Sequence, residues 1–214
     1  MARKAILAGD VTVNGEPVRD ATRKVDATEE VRYQGKVLSI PAPYYVMLHK
    51  PVDVVCATED GNHRTVIDLI DEPWCFELHV AGRLDIDTTG LVLLTNDGEW
   101  SHRVTAPRHK QPKHYFVTTA ERIEPEWIER FAQGMLLEGE EKPTLPAQLE
   151  ILDDHHANLT LHEGRYHQVK RMFGAMGTRV TALHRFAIGN VPLDPALPPG
   201  EYRLLTEDEV KALG

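Results

Sequence analysis

The chain has 214 residues, of which 42% are hydrophobic and 27% charged, and its formal net charge is −9. This size and apolar content predict a globular protein with one large domain, or one domain and a small module. No apolar run approaches the ~20 residues of a membrane span, and the first residues lack a signal-peptide core. Two cysteines, Cys56 and Cys75, are too few for a disulfide framework or a thiolate metal site. We therefore expect a cytoplasmic protein with no membrane partner.

The charge is unevenly distributed along the chain. Residues 101–117 and residues 162–185 each carry a net charge of +4, whereas acidic residues are concentrated in 121–150. A basic face can bind a polyanion despite a negative total, because the local field acts within a Debye length of ~8–10 Å. The pattern is therefore compatible with a nucleic-acid partner.

Residues 1–40 predict a small separate module. Residues 3–8 are typical of the end of a helix, and Asn14-Gly15 and Gln34-Gly35 each predict a tight turn between short strands. Pro41 and Pro43 predict a stiff, extended linker at 41–43. The candidate phosphate contacts of this module are its basic side chains, namely Arg3, Lys4, Arg19, Arg23 and Lys24.

From residue 44 onward the chain alternates short strands with a few helices. Strands are predicted at 44–48, 52–58, 78–81, 91–94, 113–119, 135–137, 147–152, 158–161 and 178–188. Helices are predicted at 65–70, 99–104, 124–132 and 167–176, and a capping box at Thr206 to Glu209 begins a C-terminal helix. This pattern predicts an α+β fold with a mostly antiparallel central sheet flanked by helices.

The helix predicted at 167–176 has a clear buried stripe. Its apolar residues recur at helical spacing, at Val169, Met172, Phe173 and Met176. Lys170 therefore lies off the stripe, and so does the next residue, Arg171.

Residues 82–90 form a polar loop between two predicted strands, and this loop carries Asp85 and Asp87. Loops held by a rigid sheet often carry reactive groups, but loop aspartates also commonly cap turns. Residues 85–89 match the D-x-D-x-T motif of haloacid-dehalogenase-type phosphotransferases. That motif requires a parallel strand in a βαβ domain, and the sequence pattern here does not predict one. No H-E-x-x-H motif, Gly-rich phosphate loop or G-x-S-x-G motif occurs. We expect no metal and no small-molecule cofactor.

Several segments resemble known families. The segment GRLDIDTTGLVLLTNDG (82–98) resembles the aspartate motif of the RsuA-type pseudouridine synthases. Further segments agree with that family in order and content: YYVMLHKPVDVVCATED (44–60), KHYFV (113–117), EGRYHQVKRMFGAMG (163–177) and PPGEYRLLTEDEV (198–210). Residues 2–33 resemble the second half of an S4 domain. The resemblance implies a partial S4-like RNA-binding module at 1–40 and a pseudouridine synthase catalytic domain at 44–214.

The resemblance also implies roles for four residues. Asp85 would be the catalytic carboxylate, Lys170 the cation that pairs with it, Tyr115 the residue that stacks on the target uracil and moves a proton, and Arg83 the residue that occupies the vacated base stack. Asp87 and residues 88–90 would form the turn that holds Asp85. Candidate phosphate contacts of the catalytic domain are its basic residues, namely Arg108, Lys110, Lys113, Arg165, Arg171 and Arg185.

Two functions follow as alternatives. The first is an rRNA pseudouridine synthase, closer to the members that modify small-subunit (16S) rRNA than to the large-subunit ones, acting as a monomer without a cofactor. The second is a catalytically silent RNA-binding or ribosome-assembly protein with the same fold. The joint presence of Asp85, Tyr115 and Lys170 favours the enzyme.

Overall fold

The computed structural model describes residues 2–26, 28–38, 42–105 and 111–214. The chain divides into two compact units, Met1–Ala42 and Pro43–Gly214. Arg108 and Lys110 lie outside the described residues, as does Pro41 of the expected linker. In the described part of the chain, no helix has the length and hydropathy required to cross a membrane.

The first unit is a short helix followed by two antiparallel hairpins. Its elements are α1 (Ala2–Ala8), β1 (Val11–Val13), β2 (Glu16–Pro17), β3 (Val31–Tyr33) and β4 (Lys36–Leu38), with the strands in the order β2-β1-β3-β4. Asn14 and Gly15 both have positive φ, as do Gln34 and Gly35. Positive φ at both central residues is the signature of a type I′ turn, whose twist matches that of the flanking strands. Both predicted turns are confirmed.

The second unit contains the remaining elements. Its strands are β5 (Tyr45–Lys50), β6 (Val54–Val55), β7 (Arg64–Thr65), β8 (His79–Val80), β9 (Thr89–Thr95), β10 (Lys113–Thr119), β11 (Gln148–Ile151), β12 (His156–Leu161), β13 (Val180–Ile188), β14 (Val191–Pro192) and β15 (Tyr202–Leu204). Its α-helices are α2 (Gly98–Thr105), α3 (Trp127–Gln133), α4 (Gln168–Ala175) and α5 (Glu207–Leu213), and short 3₁₀ turns cover Ile67–Leu69 and Cys75–Glu77.

Nine of the described strands form one sheet. The main path is β11-β12-β10-β13-β9-β5-β15, with β14 added to β13 and β8 to β9. All pairs are antiparallel except β13 with β9, which run parallel through His184 to Thr89 and Arg185 to Gly90. The expected α+β fold with a mostly antiparallel central sheet is confirmed.

Both faces of the sheet centre are buried. On β9, Val92 and Leu94 belong to one hydrophobic cluster with α3 and α4, whereas Leu91 and Leu93 belong to a second cluster with α2 and α5. A strand covered on both faces is apolar at every position, which explains the continuous run at 91–94. The sheet is therefore a rigid support for the loop that precedes β9.

Gly90 fixes the parallel junction between β9 and β13. Its φ is 110°, and a Cβ at this position would overlap the backbone carbonyl of Arg185. Only glycine tolerates both the positive φ and the close approach of the two strands. The glycine of the polar loop thus has a packing role.

One predicted strand was wrong, and several boundaries differ. Residues 135–137 are not a strand. Among the described residues, the Met135 backbone is hydrogen-bonded to Thr144 alone, through the Thr144 N–H at 2.9 Å and its hydroxyl at 3.0 Å. The predicted helix at 65–70 is the end of β7 followed by a 3₁₀ turn, and α3 begins at Trp127 rather than at 124. The buried stripe of α4 and the Thr206–Glu209 capping box are confirmed.

Candidate active site

The aspartate loop lies between β8 and β9 and is anchored by its buried residues. The Leu84 side chain is buried, and its backbone N–H donates to Cys56 Sγ at 3.3 Å. The Thr88 N–H donates to the Asp85 carbonyl at 3.1 Å and closes the turn. Because Leu84 and Thr88 are buried on either side of it, the Asp85 backbone is fixed while its side chain faces a cavity.

A buried lysine also anchors the aspartate loop. Lys50, at the end of β5, is 0% exposed, and its ammonium donates to the carbonyls of Pro51 (2.8 Å), Ile86 (3.1 Å) and Thr88 (2.8 Å). Burial lowers the pKa of Lys50, against the attraction of nearby acidic groups that include Asp85. Three carbonyls match the three donors of an ammonium group, so the charge is compensated without a directly paired carboxylate in the described chain.

Arg185 holds the loop from the opposite side. Its guanidinium is buried and donates to the carbonyls of Leu91 (2.8 Å), Gly82 (3.1 Å) and Arg83 (3.4 Å). A guanidinium engaged in this way is not free to bind phosphate. The prediction of Arg185 as a phosphate contact is therefore corrected to a support of the aspartate loop.

Lys170 joins the two aspartates. From the first turn of α4, its Nζ lies 2.9 Å from Asp85 Oδ2 and 2.5 Å from Asp87 Oδ1. Burial opposes the charge on Lys170, but the hydrogen bonds and attraction of both carboxylates outweigh it and raise the lysine pKa. The hydrogen bond from Lys170 also lowers the pKa of Asp87. Lys170 and Asp87 therefore both carry their charges at neutral pH.

The two carboxylates differ in exposure. The side chain of Asp85 is 27% exposed and that of Asp87 64% exposed. Asp87 does not cap the turn through its side chain, as the sequence had suggested, because its carboxylate binds Lys170 and the turn is closed by backbone groups. Asp85 is the better-shielded carboxylate and the one suited to chemistry that excludes water.

His167 is a neighbour of Asp85 that the sequence did not predict. Its Nε2 lies 3.4 Å from Asp85 Oδ1, and its backbone is in the left-handed region, with φ 48° and ψ 34°. A non-glycine residue in this region costs about 1–2 kcal/mol, which the surrounding hydrogen bonds offset. Here Arg165 N–H donates to Gln168 Oε1 at 2.9 Å and fixes the turn that enters α4.

The cavity beside Asp85 has a volume of about 790 Å³. Tyr115 and Lys113 line it from β10, on the same face as predicted, and Arg83 lines it from the aspartate loop. Tyr115 is buried, and within the described residues its hydroxyl makes no hydrogen bond to protein. Burial lowers the pKa of Lys113, and the nearby charge of Arg185 adds to this effect. The cavity is large enough for a nucleotide.

The other predicted phosphate contacts fall into two groups. Arg3, Lys4 and Arg19 are exposed in the first unit. Arg165 and Arg171 are instead bound to the protein itself: both contact the Glu140 carboxylate, and both donate to backbone carbonyls of residues 138–143. These two arginines tie α4 to the 138–143 segment, which weakens the prediction that they bind phosphate.

A phosphotransferase site does not fit this geometry. The D-x-D-x-T segment follows β8, which pairs antiparallel with β9, so the parallel βαβ context is missing at this loop. Asp85 and Asp87 are bridged by the Lys170 ammonium rather than left free for a cation. Among the described residues, no group of three or more His, Cys, Asp or Glu side chains is placed to hold a metal ion.

Sequence reasoning found the motif residues and missed their supports. The burial of Lys50 could have been predicted, because Lys50 lies on the same face of its apolar strand as Val46 and Leu48. His167 gave no such signal, since its contact with Asp85 depends on an unusual backbone conformation. Arg185 was misjudged because charge alone does not reveal burial.

Comparisons with known proteins match one family over most of this chain. The family model for RNA pseudouridylate synthase matches residues 44–175. The chain is 50% identical over 214 residues to the ribosomal small subunit pseudouridine synthase A of Vibrio parahaemolyticus, across 99% of this chain and 92% of that protein. It is 49% identical to the protein of the same name from Escherichia coli, across 100% and 93%.

A solved structure agrees over the whole chain. It is described as a crystal structure of pseudouridylate synthase, with a TM-score of 0.79 and 48% identity over 100% of this chain and 92% of that one. The family model alone covers more than half of the chain and includes Asp85, Tyr115 and Lys170. The chain therefore belongs to the RNA pseudouridylate synthase family.

Proposed function

We propose that this protein converts a specific uridine of small-subunit (16S) ribosomal RNA to pseudouridine, with Asp85 as the catalytic carboxylate. The observation that carries the proposal is the Asp85 carboxylate at the wall of a nucleotide-sized cavity, 2.9 Å from the Lys170 ammonium. The small-subunit substrate rests on relatives with about 50% identity over nearly the full chain.

The reaction is an isomerisation with balanced atoms. The N1–C1′ glycosidic bond breaks, the uracil turns, a C5–C1′ bond forms, the C5 proton leaves and N1 gains a proton. No electrons are exchanged with an outside partner. Asp85 takes part by attack on C1′, by addition to the base or by removal of a ribose proton, and each route requires the ionised carboxylate. Lys170, 2.9 Å away, places a positive charge beside this carboxylate.

The remaining cavity residues receive roles from their positions. Tyr115 stacks on the extruded uracil and transfers a proton, since its ring is held by β10 and its hydroxyl is without a protein partner in the described ranges. Arg83 is exposed at the loop and fills the gap left in the RNA stack. Extruding the base costs a few kcal/mol, and stacking returns ~1–3 kcal/mol per base.

Contacts with RNA phosphates are assigned to basic residues at the cavity and in the first unit. Lys113 is half-buried at the cavity and contacts the phosphate of the flipped nucleotide. Arg3, Lys4 and Arg19 belong to a partial S4-like module and contact phosphates farther along the RNA. We propose a cytoplasmic monomer, in which the first unit adds affinity and the second unit performs the chemistry.

The direct test is to incubate the purified protein with unmodified small-subunit rRNA and map pseudouridines by chemical labelling and primer extension. We expect one new pseudouridine, and the same site should lack the modification in cells without the protein. Product in large-subunit rRNA alone would contradict the proposal that small-subunit rRNA is the substrate. RNA binding with no product in either rRNA would support the catalytically silent alternative.

A further inference from the structure

The Tyr166 ring is unusually exposed for its position. It is 77% exposed at the rim of the Asp85 cavity, which it helps to line. Within the described residues, its hydroxyl makes no hydrogen bond to protein. Single exposed aromatic side chains are common on protein surfaces. An aromatic ring at the mouth of a nucleotide-sized cavity, however, can stack on a nucleobase.

His167 holds the ring in place. The two rings are stacked, with centroids 3.8 Å apart and an interplanar angle of 21°. His167 is itself fixed by its left-handed backbone and by the 3.4 Å contact from its Nε2 to Asp85 Oδ1. The Tyr166 carbonyl accepts a hydrogen bond from Arg171 at 3.2 Å. One face of the Tyr166 ring is thus covered by His167, and the exposed remainder offers the other face.

We propose that Tyr166 is a stacking platform for a nucleobase next to the flipped uridine, with His167 as the positioning residue that links the platform to Asp85. This inference rests on the proposed function. When the uridine leaves the RNA stack, its neighbour loses a stacking partner, and an aromatic ring at the cavity rim replaces it. Base–aromatic stacking is tolerant of sequence, so the platform contributes affinity and register rather than base identity.

The platform is distinct from the uracil site. Tyr115 is buried within the cavity, whereas Tyr166 stands at its mouth on the segment that enters α4. Because the stacked His167 also contacts Asp85, a base seated on Tyr166 fixes the rim of the cavity on the side of the catalytic carboxylate. Loss of the platform should therefore lower RNA affinity more than it slows the chemical step.

The test compares Tyr166→Ser and Tyr166→Phe with the control Phe76→Ser. Phe76 is 82% exposed in the same unit but does not line the cavity. Each variant is measured for binding to a small-subunit rRNA fragment that spans the modified uridine, and for its single-turnover rate at saturating protein. In an Asp85→Asn background, 2-aminopurine placed on either side of the uridine reports stacking by fluorescence quenching.

We expect Tyr166→Ser to weaken RNA binding by about 5- to 150-fold, with a much smaller change in the saturated rate. Tyr166→Phe should restore the affinity, Phe76→Ser should bind like the wild type, and quenching at one flanking position should disappear only in Tyr166→Ser. Unchanged affinity and quenching in Tyr166→Ser, with normal product from the wild type, would overturn the platform and leave the proposed function standing. If the wild type forms no pseudouridine, the proposed function fails and the platform fails with it.

Discussion

Lys170 Nζ lies 2.9 Å from Asp85 Oδ2, although the two residues are 85 positions apart in the chain. The contact depends on two rigid supports, the sheet that carries the aspartate loop and the packed helix α4. Lys170 also binds Asp87, so one ammonium compensates two carboxylates.

Replacing Lys170 by methionine should damage catalysis more than folding. The variant leaves both carboxylates without the cation they share, and Asp87 loses the hydrogen bond that lowers its pKa. We expect the single-turnover rate to fall by about 100- to 1000-fold, with Lys170→Arg recovering part of it. Titration of Asp87 by NMR should show a higher pKa than in the wild type. A Lys170→Met enzyme with the wild-type rate would contradict the role assigned to this lysine.

The family resemblance named the site residues, and local sequence patterns placed two of them in the fold. The stripe of Val169, Met172 and Phe173 placed Lys170 off the buried face of α4, and the apolar run at 91–94 placed the aspartate loop before a buried strand. The supports were not predictable in this way. Lys50 and Arg185 act through backbone carbonyls that only the folded chain brings to them.

The 135–137 segment shows a second limit of sequence reasoning. Its apolar residues suggested a strand, but Gly134, with φ 76°, lies against the Thr144 carbonyl and turns the chain away from the sheet. Met135 and Leu137 are buried in the main hydrophobic cluster, although their segment is irregular. Apolar content indicated burial correctly at Met135 and Leu137 but not at Leu136, which is 62% exposed, and the backbone conformation was set by tertiary packing.

Removing the buried ammonium of Lys50 should destabilise the second unit. Lys50→Met leaves the carbonyls of Pro51, Ile86 and Thr88 without their donor, at a cost of about 2 kcal/mol or more. The aspartate loop should also shift, with a loss of activity of about 100-fold. Urea unfolding and single-turnover rates measure the two effects. The control is Lys211→Met, because the Lys211 side chain is 73% exposed and its ion pair with Glu207 lies at the surface. This change should alter stability by less than about 0.5 kcal/mol. Equal stability of the two variants would count against the role of Lys50.

The C-terminal helix should lose stability in acid. Arg203 donates to both Glu209 oxygens, at 2.8 and 2.7 Å, and these hydrogen bonds lower the pKa of Glu209 from 4.5 to about 2. Because the folded pKa is below the unfolded one, the stabilisation is complete above pH 4.5 and is lost as pH falls toward about 2. Glu209→Gln should cost about 1–2 kcal/mol at neutral pH, and the difference from the wild type should shrink across this window.

Tryptophan fluorescence is a suitable probe for that experiment, because Trp100 Nε1 donates to the Val210 carbonyl of the same helix at 3.1 Å. Glu207→Gln is the matched control, since Glu207 is 91% exposed and its Lys211 partner lies at 3.5 Å. A constant difference between Glu209→Gln and the wild type over the whole acid range would rule out the proposed linkage.

RNA binding should weaken with salt, and the first unit should supply part of this dependence. Replacing Arg3, Lys4 and Arg19 together by alanine removes three exposed positive charges. If each contacts a phosphate, the slope of log affinity against log salt should become less negative by about 2 units, at about 0.7 per contact for single strands. Lys211→Ala should leave the slope unchanged. An unaltered slope in the triple variant would remove the first unit from the phosphate-binding surface.

We propose that Asp85, and not the neighbouring Asp87, performs the chemistry. The measurement is pseudouridine formation on small-subunit rRNA by Asp85→Asn and Asp87→Asn side by side, with RNA affinity determined for both. We predict no product above background from Asp85→Asn, affinity within about threefold of the wild type, and product from Asp87→Asn at no worse than about a tenth of the wild-type rate. Product from Asp85→Asn at the wild-type rate would contradict the account.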